Sequence, residues 1–203
     1  MSIATEISPV AEETRTKRLK AATHAAHERL DKRIMQLNPF ADRESYARLV
    51  TMQYLFHRDL DALFFNEELD ALLPDLAGRR RLALIEQDFA DLGVAMPQTE
   101  SAPTFTRGEK VALGEALGWL YVIEGSNLGA AFLLKYAAKL GLDENMGARH
   151  LAGAPEGRGL HWRTFTAALD SVDLSEDEER AVTGADAAFA RVYDFAELAF
   201  AGR

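Results

Sequence analysis

Histidine is the residue type in this chain that is best suited to metal binding or proton transfer. The chain contains five, at His24, His27, His57, His150 and His161. Their spacing is not that of a zinc metalloprotease, no serine lies in a nucleophile elbow, and no carboxylate cluster of the di-iron type accompanies them. The absence of cysteine excludes disulfides, thiolate catalysis and cysteine-bound clusters. A metal would therefore be bound by His, Asp, Glu or a cofactor.

The first predicted helix carries two histidines that differ in depth. With about 100° between successive residues, Lys20, His24, His27 and Asp31 lie on one stripe of this helix. The apolar stripe beside it consists of Leu19, Ala26, Leu30, Ile34 and Leu37. His27 lies roughly 60° from the middle of the apolar stripe and His24 roughly 120°. We therefore expect His27 at the edge of the core and His24 mainly in water, which makes His27 the better ligand candidate.

Asp31 follows His27 by one helical turn. Its carboxylate is placed to accept the N–H of the second imidazole nitrogen, which would fix the tautomer and raise the basicity of the ligand. The alternative is a surface His–Asp pair that stabilises the helix by only about 0.2–0.5 kcal/mol.

Three glycines, Gly118, Gly125 and Gly129, lie inside the apolar, helix-favouring run 118–132. Each weakens a helix interior by roughly 0.5–1 kcal/mol relative to alanine, which suggests that their surface needs bare backbone. Either a neighbouring helix approaches closely, or a flat ligand lies there. The apolar face is interrupted at the same point by Glu124, Ser126 and Asn127. Polar atoms beside bare backbone favour a ligand cavity that contains water.

Hydrophobic periodicity places these residues on helices and predicts an all-α fold. The predicted helices cover residues 11–37, 42–70, 78–92, 106–140 and 160–169, with a last helix that ends near 200. Loops rich in glycine and proline are predicted at 93–103 and 141–159, the second with a turn at 148–151. No segment alternates with period two, so no strand is predicted.

Local signals refine two of these helices. Thr106 with Glu109, and Ser175 with Glu178, have the spacing of capping boxes that would open the fourth and the last helix. The fourth helix is expected to bend near Gly125, because glycine and serine pairs are frequent kink sites.

The composition is that of one globular domain over residues 1–203, with 48% apolar residues and a flexible lead at 1–10. The formal net charge of -9 argues against general affinity for nucleic acid or an anionic membrane. The N-terminus lacks the basic start and apolar stretch of a signal peptide, so we expect a cytoplasmic protein.

Two segments together resemble heme oxygenase, the biliverdin-producing family, in its bacterial branch. Leu-Lys-Ala-Ala-Thr-His-Ala-Ala-His at 19–27 looks like the proximal helix, in which Thr precedes the iron-ligating His by four positions. Thr23 therefore selects His27. Glu-Gly-Ser-Asn-Leu-Gly-Ala-Ala at 124–131 looks like the distal helix. Further similarity lies at 147–151 and 161–163, and the resemblance covers roughly residues 18–195.

The resemblance implies that heme b lies between the proximal helix and a kinked distal helix. His27 would bind the iron, and the backbone of Gly125 and Gly129 would lie above it, where side chains would collide with the macrocycle. The implied reaction is oxygen-dependent cleavage of heme to biliverdin, carbon monoxide and ferrous iron, with heme as both substrate and cofactor. Since no flavin or nicotinamide motif is present, electrons would come from an external ferredoxin or flavin reductase.

The resemblance also assigns residues around the heme. Ser126 and Asn127 are candidates for organising distal water, although animal members have an aspartate where this chain has Ser126. Lys20 and Tyr121 are placed to pair with the propionates, and this combination suggests the α isomer of biliverdin. Phe189 resembles a pocket-lining residue, with a core role as the alternative. The basic propionate contacts of animal members are not carried over, because Trp162 and Thr166 occupy their positions.

Two other classes of function remain open from the sequence. A heme-binding carrier or sensor would keep the fold and the ligand without turnover. A helical interaction protein would bind no cofactor. Within the enzyme class, heme breakdown would supply either iron or a bilin chromophore.

Overall fold

The computed structural model describes residues 13–99 and 101–201. Within them the chain forms eight α-helices: α1 (Arg15–Ala22), α2 (His24–Gln36), α3 (Arg43–Leu60), α4 (Glu67–Leu72), α5 (Leu82–Leu92), α6 (Leu113–Ala138), α7 (Arg158–Ser171) and α8 (Glu178–Phe200). Short 3₁₀ segments lie at Asp61–Phe65, Ala77–Arg79, Arg149–Leu151 and Ser175–Asp177. The described part contains isolated bridges at Asp143 but no strand, so the all-α prediction is confirmed. The expected lead at 1–10 lies outside the described residues.

The predicted first helix is two helices, α1 and α2, separated by the single residue Thr23. The buried Thr23 hydroxyl donates to the carbonyl oxygen of Leu19 at 2.7 Å, a contact that tends to bend helices. The backbone hydrogen bond from His27 N–H to Thr23 O, 2.9 Å long, continues across the break. The interruption is therefore local.

Helices α6 and α8 cross so closely that side chains are excluded between them. A Cβ atom on Gly118 would lie 2.1 Å from the carbonyl oxygen of Ala181, and one on Gly184 would lie 2.5 Å from that of Glu115. Contacts this short are impossible for real Cβ atoms, so glycine is required on both helices. For Gly118, the alternative that a neighbouring helix approaches closely is therefore the right one.

Helix α6 is the core helix of the bundle. Its length and hydropathy would suit a membrane span, but 56% of its most apolar window is buried inside the fold. Burial against other helices accounts for its apolar composition, as in the core helix of a soluble protein. The helix continues without interruption through Gly125, and the bend expected there stays a prediction.

Both capping-box predictions are wrong. Thr106 and Glu109 form a turn before α6, which begins seven residues after Thr106, at Leu113. Ser175 adopts a left-handed conformation with φ of 48° and bonds to Asp173 instead of capping α8. At Thr106 the turn is closed by a backbone hydrogen bond from Glu109 N–H to Thr106 O, 3.2 Å long, whereas at Ser175 the side chain of Asp173 accepts the hydrogen bonds of a local turn.

The second predicted helix is also shorter than expected. Helix α3 ends at Leu60, and the rest of the predicted range is a 3₁₀ segment followed by α4. The carbonyl oxygen of Asp59 accepts a hydrogen bond from the backbone N–H of Phe105, 3.0 Å away. This contact with a distant loop takes the acceptor that a continuing α-helix would use.

Candidate functional site

His24 and His27 are both accessible on α2, and they differ less in depth than expected. Their side chains are 69% and 59% exposed, so the prediction that His27 lies at the edge of the core is wrong for the described structure. The break at Thr23 and the exposed face of α2 leave both rings facing outward. What distinguishes His27 is an edge-on contact with the ring of Phe189 on α8, with 5.7 Å between the ring centroids.

The two histidines also use different ring nitrogens toward their carboxylates. His27 approaches Asp31 through Nδ1, 3.3 Å from Oδ2, whereas His24 approaches Glu28 through Nε2 at 3.4 Å. The Nε2 atom of His27 is therefore the nitrogen available to a metal, and Asp31 is placed as the partner of the other one. No three His, Asp or Glu side chains of the described ranges converge on a metal position. A metal at His27 would need further ligands from a cofactor, such as the four nitrogens of a porphyrin.

The glycines of α6 fall into two groups. Gly118 is needed for the close crossing with α8, but a Cβ atom on Gly129 would meet nothing within 4 Å in the part of the chain described. On Gly125 it would meet only the ring of Trp162, at an ordinary contact distance of 3.6 Å. Close helix packing therefore explains why residue 118 is a glycine. No contact among the described residues requires glycine at 125 or 129.

Apolar side chains flank this bare backbone and are open to solvent. Tyr121, Gly125, Leu128 and Phe132 recur at four- and three-residue spacing and so share one face of α6. Tyr121 is buried, whereas Leu128 is 41% exposed and Phe132 is 56% exposed. Large apolar groups next to bare backbone form a surface that a flat apolar ligand would cover. The residues present fit a macrocycle.

The polar residues of the glycine segment point in different directions. Ser126 is exposed, and its hydroxyl donates to the carbonyl oxygen of Ile123 at 2.6 Å. Asn127 is buried, and its backbone carbonyl accepts from Arg158 at 2.8 Å. The Ser126 hydroxyl is thus engaged with the backbone of its own helix.

Three further predicted site residues lie on three helices. Lys20 is exposed in the last turn of α1. Tyr121 is buried on α6, and burial raises the pKa of its hydroxyl, which keeps it protonated as a hydrogen-bond donor at neutral pH. Phe189 is buried on α8, and its contact with His27 places it beside the candidate ligand.

Sequence reasoning missed a buried polar cluster centred on His150. The ring of His150 contacts Asp88 through Nδ1 at 2.5 Å and the amide oxygen of Gln53 through Nε2. Arg81 donates to the carbonyl oxygen of His150 at 2.9 Å. Burial first, and then electrostatic interactions with His150, Arg81 and Arg80, lower the pKa of His57 to about 3, so this ring is neutral. The only early signal was the four-residue spacing of Gln53 and His57, which places both on one face of α3.

Several buried polar atoms have no hydrogen-bond partner among the described residues. They are Thr16 Oγ1, Tyr46 OH, His57 Nδ1, Arg81 Nε, Trp119 Nε1 and Glu124 Oε1. Buried polar atoms are normally paired, either with protein groups or with ordered water. The His57 and Arg81 atoms belong to the cluster around His150, which is therefore suited to hold internal water.

Glu124 is a buried carboxylate on α6, directly before Gly125. It pairs with Arg79, whose Nη1 lies 2.6 Å from Oε2, and both side chains are almost fully enclosed. Burial raises the pKa of Glu124, while the charge of Arg79 opposes that rise. A second neighbour is His161, whose Nε2 lies 3.6 Å from the same oxygen.

Comparison with known proteins finds similarity along nearly the whole chain. The heme oxygenase family profile matches residues 13–197. Heme oxygenase PigA of Pseudomonas aeruginosa is 48% identical over 188 residues, which cover 92% of this chain and 93% of that protein.

Solved structures agree with the sequence comparison. The NO- and CO-bound heme oxygenase of Neisseria meningitidis is similar with a TM-score of 0.86 and 39% identity, over 92% of both chains. Heme oxygenase 2 of Chlamydomonas reinhardtii, solved without heme, gives a TM-score of 0.71 at 18% identity, over 91% of this chain and 97% of that one. At this identity the second comparison supports the fold alone.

Proposed function

The chain belongs to the heme oxygenase family, and from this premise we propose how its own residues bind heme and direct its cleavage. It is an enzyme whose substrates are heme and dioxygen. The proposed products are biliverdin, chiefly the α isomer, together with carbon monoxide and ferrous iron. The observation that carries the binding site is the bare backbone of Gly125 and Gly129, which the packing of the described residues does not require.

His27 is the proposed iron ligand on the proximal side. Asp31 Oδ2 lies 3.3 Å from Nδ1, where it would accept the N–H of that nitrogen and leave Nε2 for the metal, while the edge of Phe189 would limit rotation of the ring. When bound, heme b supplies the iron that activates dioxygen and also the macrocycle that is oxidised. A neutral imidazole suits this chemistry, because a thiolate ligand would favour O–O cleavage.

On the distal side, α6 presents backbone instead of side chains. Gly125 and Gly129 would let the macrocycle approach α6, and Leu128 and Phe132 would shield its apolar surface from water. Ser126 and Asn127 are the proposed residues that organise distal water at the glycine segment. Because the Ser126 hydroxyl already donates to Ile123, its remaining role toward water is as an acceptor.

We extend the water-holding role to the buried cluster around His150. His57 Nδ1 and Arg81 Nε are enclosed without partners among the described residues, so ordered water there would satisfy both atoms. Such water would connect the interior to the distal side and supply protons without placing a strong acid against the iron.

Lys20 and Tyr121 are the proposed partners of the heme propionates. An exposed ammonium and a buried phenol that stays protonated both donate hydrogen bonds that suit carboxylates. Through these contacts they would set the rotation of heme in its plane, which decides the meso carbon that is cleaved.

The chain is proposed to act as one cytoplasmic domain over residues 1–203, without nucleic acid or membrane as partner. Electrons come from an external ferredoxin or flavin reductase, and the reaction supplies either iron or a bilin chromophore. Rates with a reduced ferredoxin and with a flavin reductase plus its nicotinamide substrate would identify the class of donor.

The direct test mixes the purified protein with hemin, then adds ascorbate under air with catalase present to remove free peroxide. We expect loss of the heme spectrum and appearance of biliverdin, with the α isomer dominant on chromatography. A heme spectrum that persists without biliverdin would instead indicate a carrier or sensor, and no heme spectrum at all would indicate a helical interaction protein.

A further inference from the structure

A buried guanidinium contacts both helix α6 and helix α7, in addition to the hydrogen bond from Arg158 of α7 to the carbonyl oxygen of Asn127 on α6. Arg79, in the 3₁₀ segment before α5, donates to Glu124 Oε2 at 2.6 Å and to the carbonyl oxygen of His161 at 3.3 and 3.4 Å. It also donates to the carbonyl oxygen of Pro74 at 3.0 Å. The three acceptors lie on different parts of the chain, so the position of this side chain is fixed by all of them.

Arg79 bonds to Glu124 and to His161. Each of these residues directly precedes a residue of the proposed heme site. Glu124 precedes Gly125, and His161 precedes Trp162. The ring of Trp162 lies 3.6 Å from the point where a Cβ atom of Gly125 would be, and its centroid lies 5.6 Å from that of Tyr121. The same guanidinium therefore contacts the residues directly before Gly125 and Trp162.

A second contact ties α7 to the loop before it. His161 Nδ1 lies 2.7 Å from Glu156 Oε1, while its Nε2 faces Glu124. The imidazole is thus bordered by a carboxylate on each side, which restricts rotation of its ring. Trp162 is restrained both through the backbone and through the side chain of its neighbour.

Stability alone does not explain why this pair is ionic. Removing two charges from water has a desolvation cost comparable to the energy of their attraction, and apolar replacements of buried pairs are often neutral or stabilising. In addition, Glu124 Oε1 has no partner among the described residues, which is a further cost. The directional contacts of Arg79 are better explained by a positioning role, because they fix the residues on α6 and α7 to which Arg79 bonds.

We propose that Arg79 and Glu124 are positioning residues that set the gap between the Gly125 backbone and the Trp162 ring. The gap determines how deeply heme enters along α6 and which meso carbon lies under the bare backbone. Neither residue touches the reacting atoms. This inference rests on the proposed heme site, and its test includes a measurement on the heme-free protein.

The test uses two variants in a background in which Trp119 is replaced by Phe, so that Trp162 is the only remaining tryptophan. Glu124→Gln keeps the shape of the side chain and removes its charge. The double variant Arg79→Met/Glu124→Met replaces the ion pair by apolar groups, and we expect its thermal midpoint within about 5 °C of the parent. Asp59→Asn is the matched control, since Asp59 is a buried carboxylate that pairs with Arg191 at 2.7 Å.

In the heme-free double variant we expect a shifted Trp162 emission spectrum. After hemin is added, His27 should still bind the iron, with a dissociation constant within about threefold of the parent, while turnover falls on the order of tenfold through misplacement. A second biliverdin isomer should appear. Glu124→Gln should show the same changes to a smaller extent, and Asp59→Asn should show none of them even if it lowers the thermal midpoint.

Unchanged emission, or changed emission with parental turnover and isomer ratio, would overturn the proposal. A double variant that fails to fold would also overturn it, because the pair would then maintain the fold and not the gap. If the parent protein itself forms no biliverdin, the proposed function fails, but the emission of Trp162 still decides whether the pair positions this ring.

Discussion

His24 and His27 form a natural matched pair for testing the iron ligand. Both are exposed on α2, and both face a carboxylate one turn later, but only His27 directs Nδ1 to that carboxylate and contacts Phe189. We expect His27→Ala to lose the proximal bond, with a changed Soret band in the hemin complex that added imidazole restores. His24→Ala should keep the parental spectrum. A normal spectrum for His27→Ala together with loss in His24→Ala would reverse the ligand assignment.

The rotation of heme in its plane depends on donors at its edge, and Lys20 is the charged one. We expect Lys20→Ala to bind hemin and to produce a mixture of biliverdin isomers, because one propionate loses its cation. Tyr121→Phe should have a similar but smaller effect. Chromatography of the extracted products measures the ratio.

Lys17 provides the control for this prediction. It is exposed on the same helix α1, three residues before Lys20, and has the same charge. Lys17→Ala should leave the isomer ratio at the parental value. Equal effects of the two substitutions would mean that net charge, and not a propionate contact, controls the orientation.

Individual ligand candidates were predictable where a local motif carried them. The four-residue spacing of Thr23 and His27 selects the ligand by resemblance, and the structure places Phe189 beside that ring. His57 and His150 were not predictable, because their roles depend on partners that are far away in sequence, such as Asp88 for His150. No spacing rule on one helix reports such contacts.

Replacing glycine by alanine should have opposite effects on stability at two positions of α6. Gly118→Ala would place a Cβ atom 2.1 Å from a backbone oxygen of α8, so overpacking should lower the free energy of unfolding by about 1–3 kcal/mol or more. Gly129→Ala meets open space, and its better helix propensity should raise the free energy of unfolding by about 0.5–1 kcal/mol in the heme-free protein.

For hemin affinity the order of the two variants should be reversed: Gly129→Ala should be the weaker binder although it is the more stable protein. Gly129→Ala should bind hemin more weakly than the parent, because the new methyl group enters the space proposed for the macrocycle, whereas folded Gly118→Ala should bind normally. Urea unfolding without heme and hemin titration measure the two effects separately. If Gly129→Ala is stabilised and also binds hemin normally, the bare backbone has another purpose.

The helices themselves were predicted better than their ends. Periodicity located most of the helical segments, because it reports which face is buried. The ends of α3 and the starts of α6 and α8 were set by other contacts, such as the hydrogen bond from Phe105 to Asp59 and the turn at Ser175. Competing local and tertiary hydrogen bonds decide an end residue, and hydrophobic spacing does not record them.

The molecule as a whole is an apolar helical bundle crossed by buried charges. Arg79 pairs with Glu124, and Arg191 with Asp59, in each case between segments far apart in sequence. Such pairs fix the relative positions of segments that non-directional apolar packing would hold less specifically. The fold class and the family followed from local patterns, whereas this polar interior became visible only when the chain was folded.

The buried ring of His57 makes the stability of the whole fold depend on pH. The pKa of His57 is about 3 in the folded protein, against an ordinary value of 6.5, because of burial first and then electrostatic interactions with His150, Arg81 and Arg80. Between these values the unfolded chain binds the proton and the folded one does not. The stabilising contribution of the neutral His57 ring is therefore complete above pH 6.5. The free energy of unfolding falls as the pH falls toward 3, by at most about 1.4 kcal/mol per pH unit.

In urea unfolding of the heme-free protein at pH 7.5 and 5.5, His57→Gln should lose less stability than the parent, while the exposed His24→Gln should follow the parent. Equal losses for His57→Gln and the parent would show that His57 takes up its proton in the folded state.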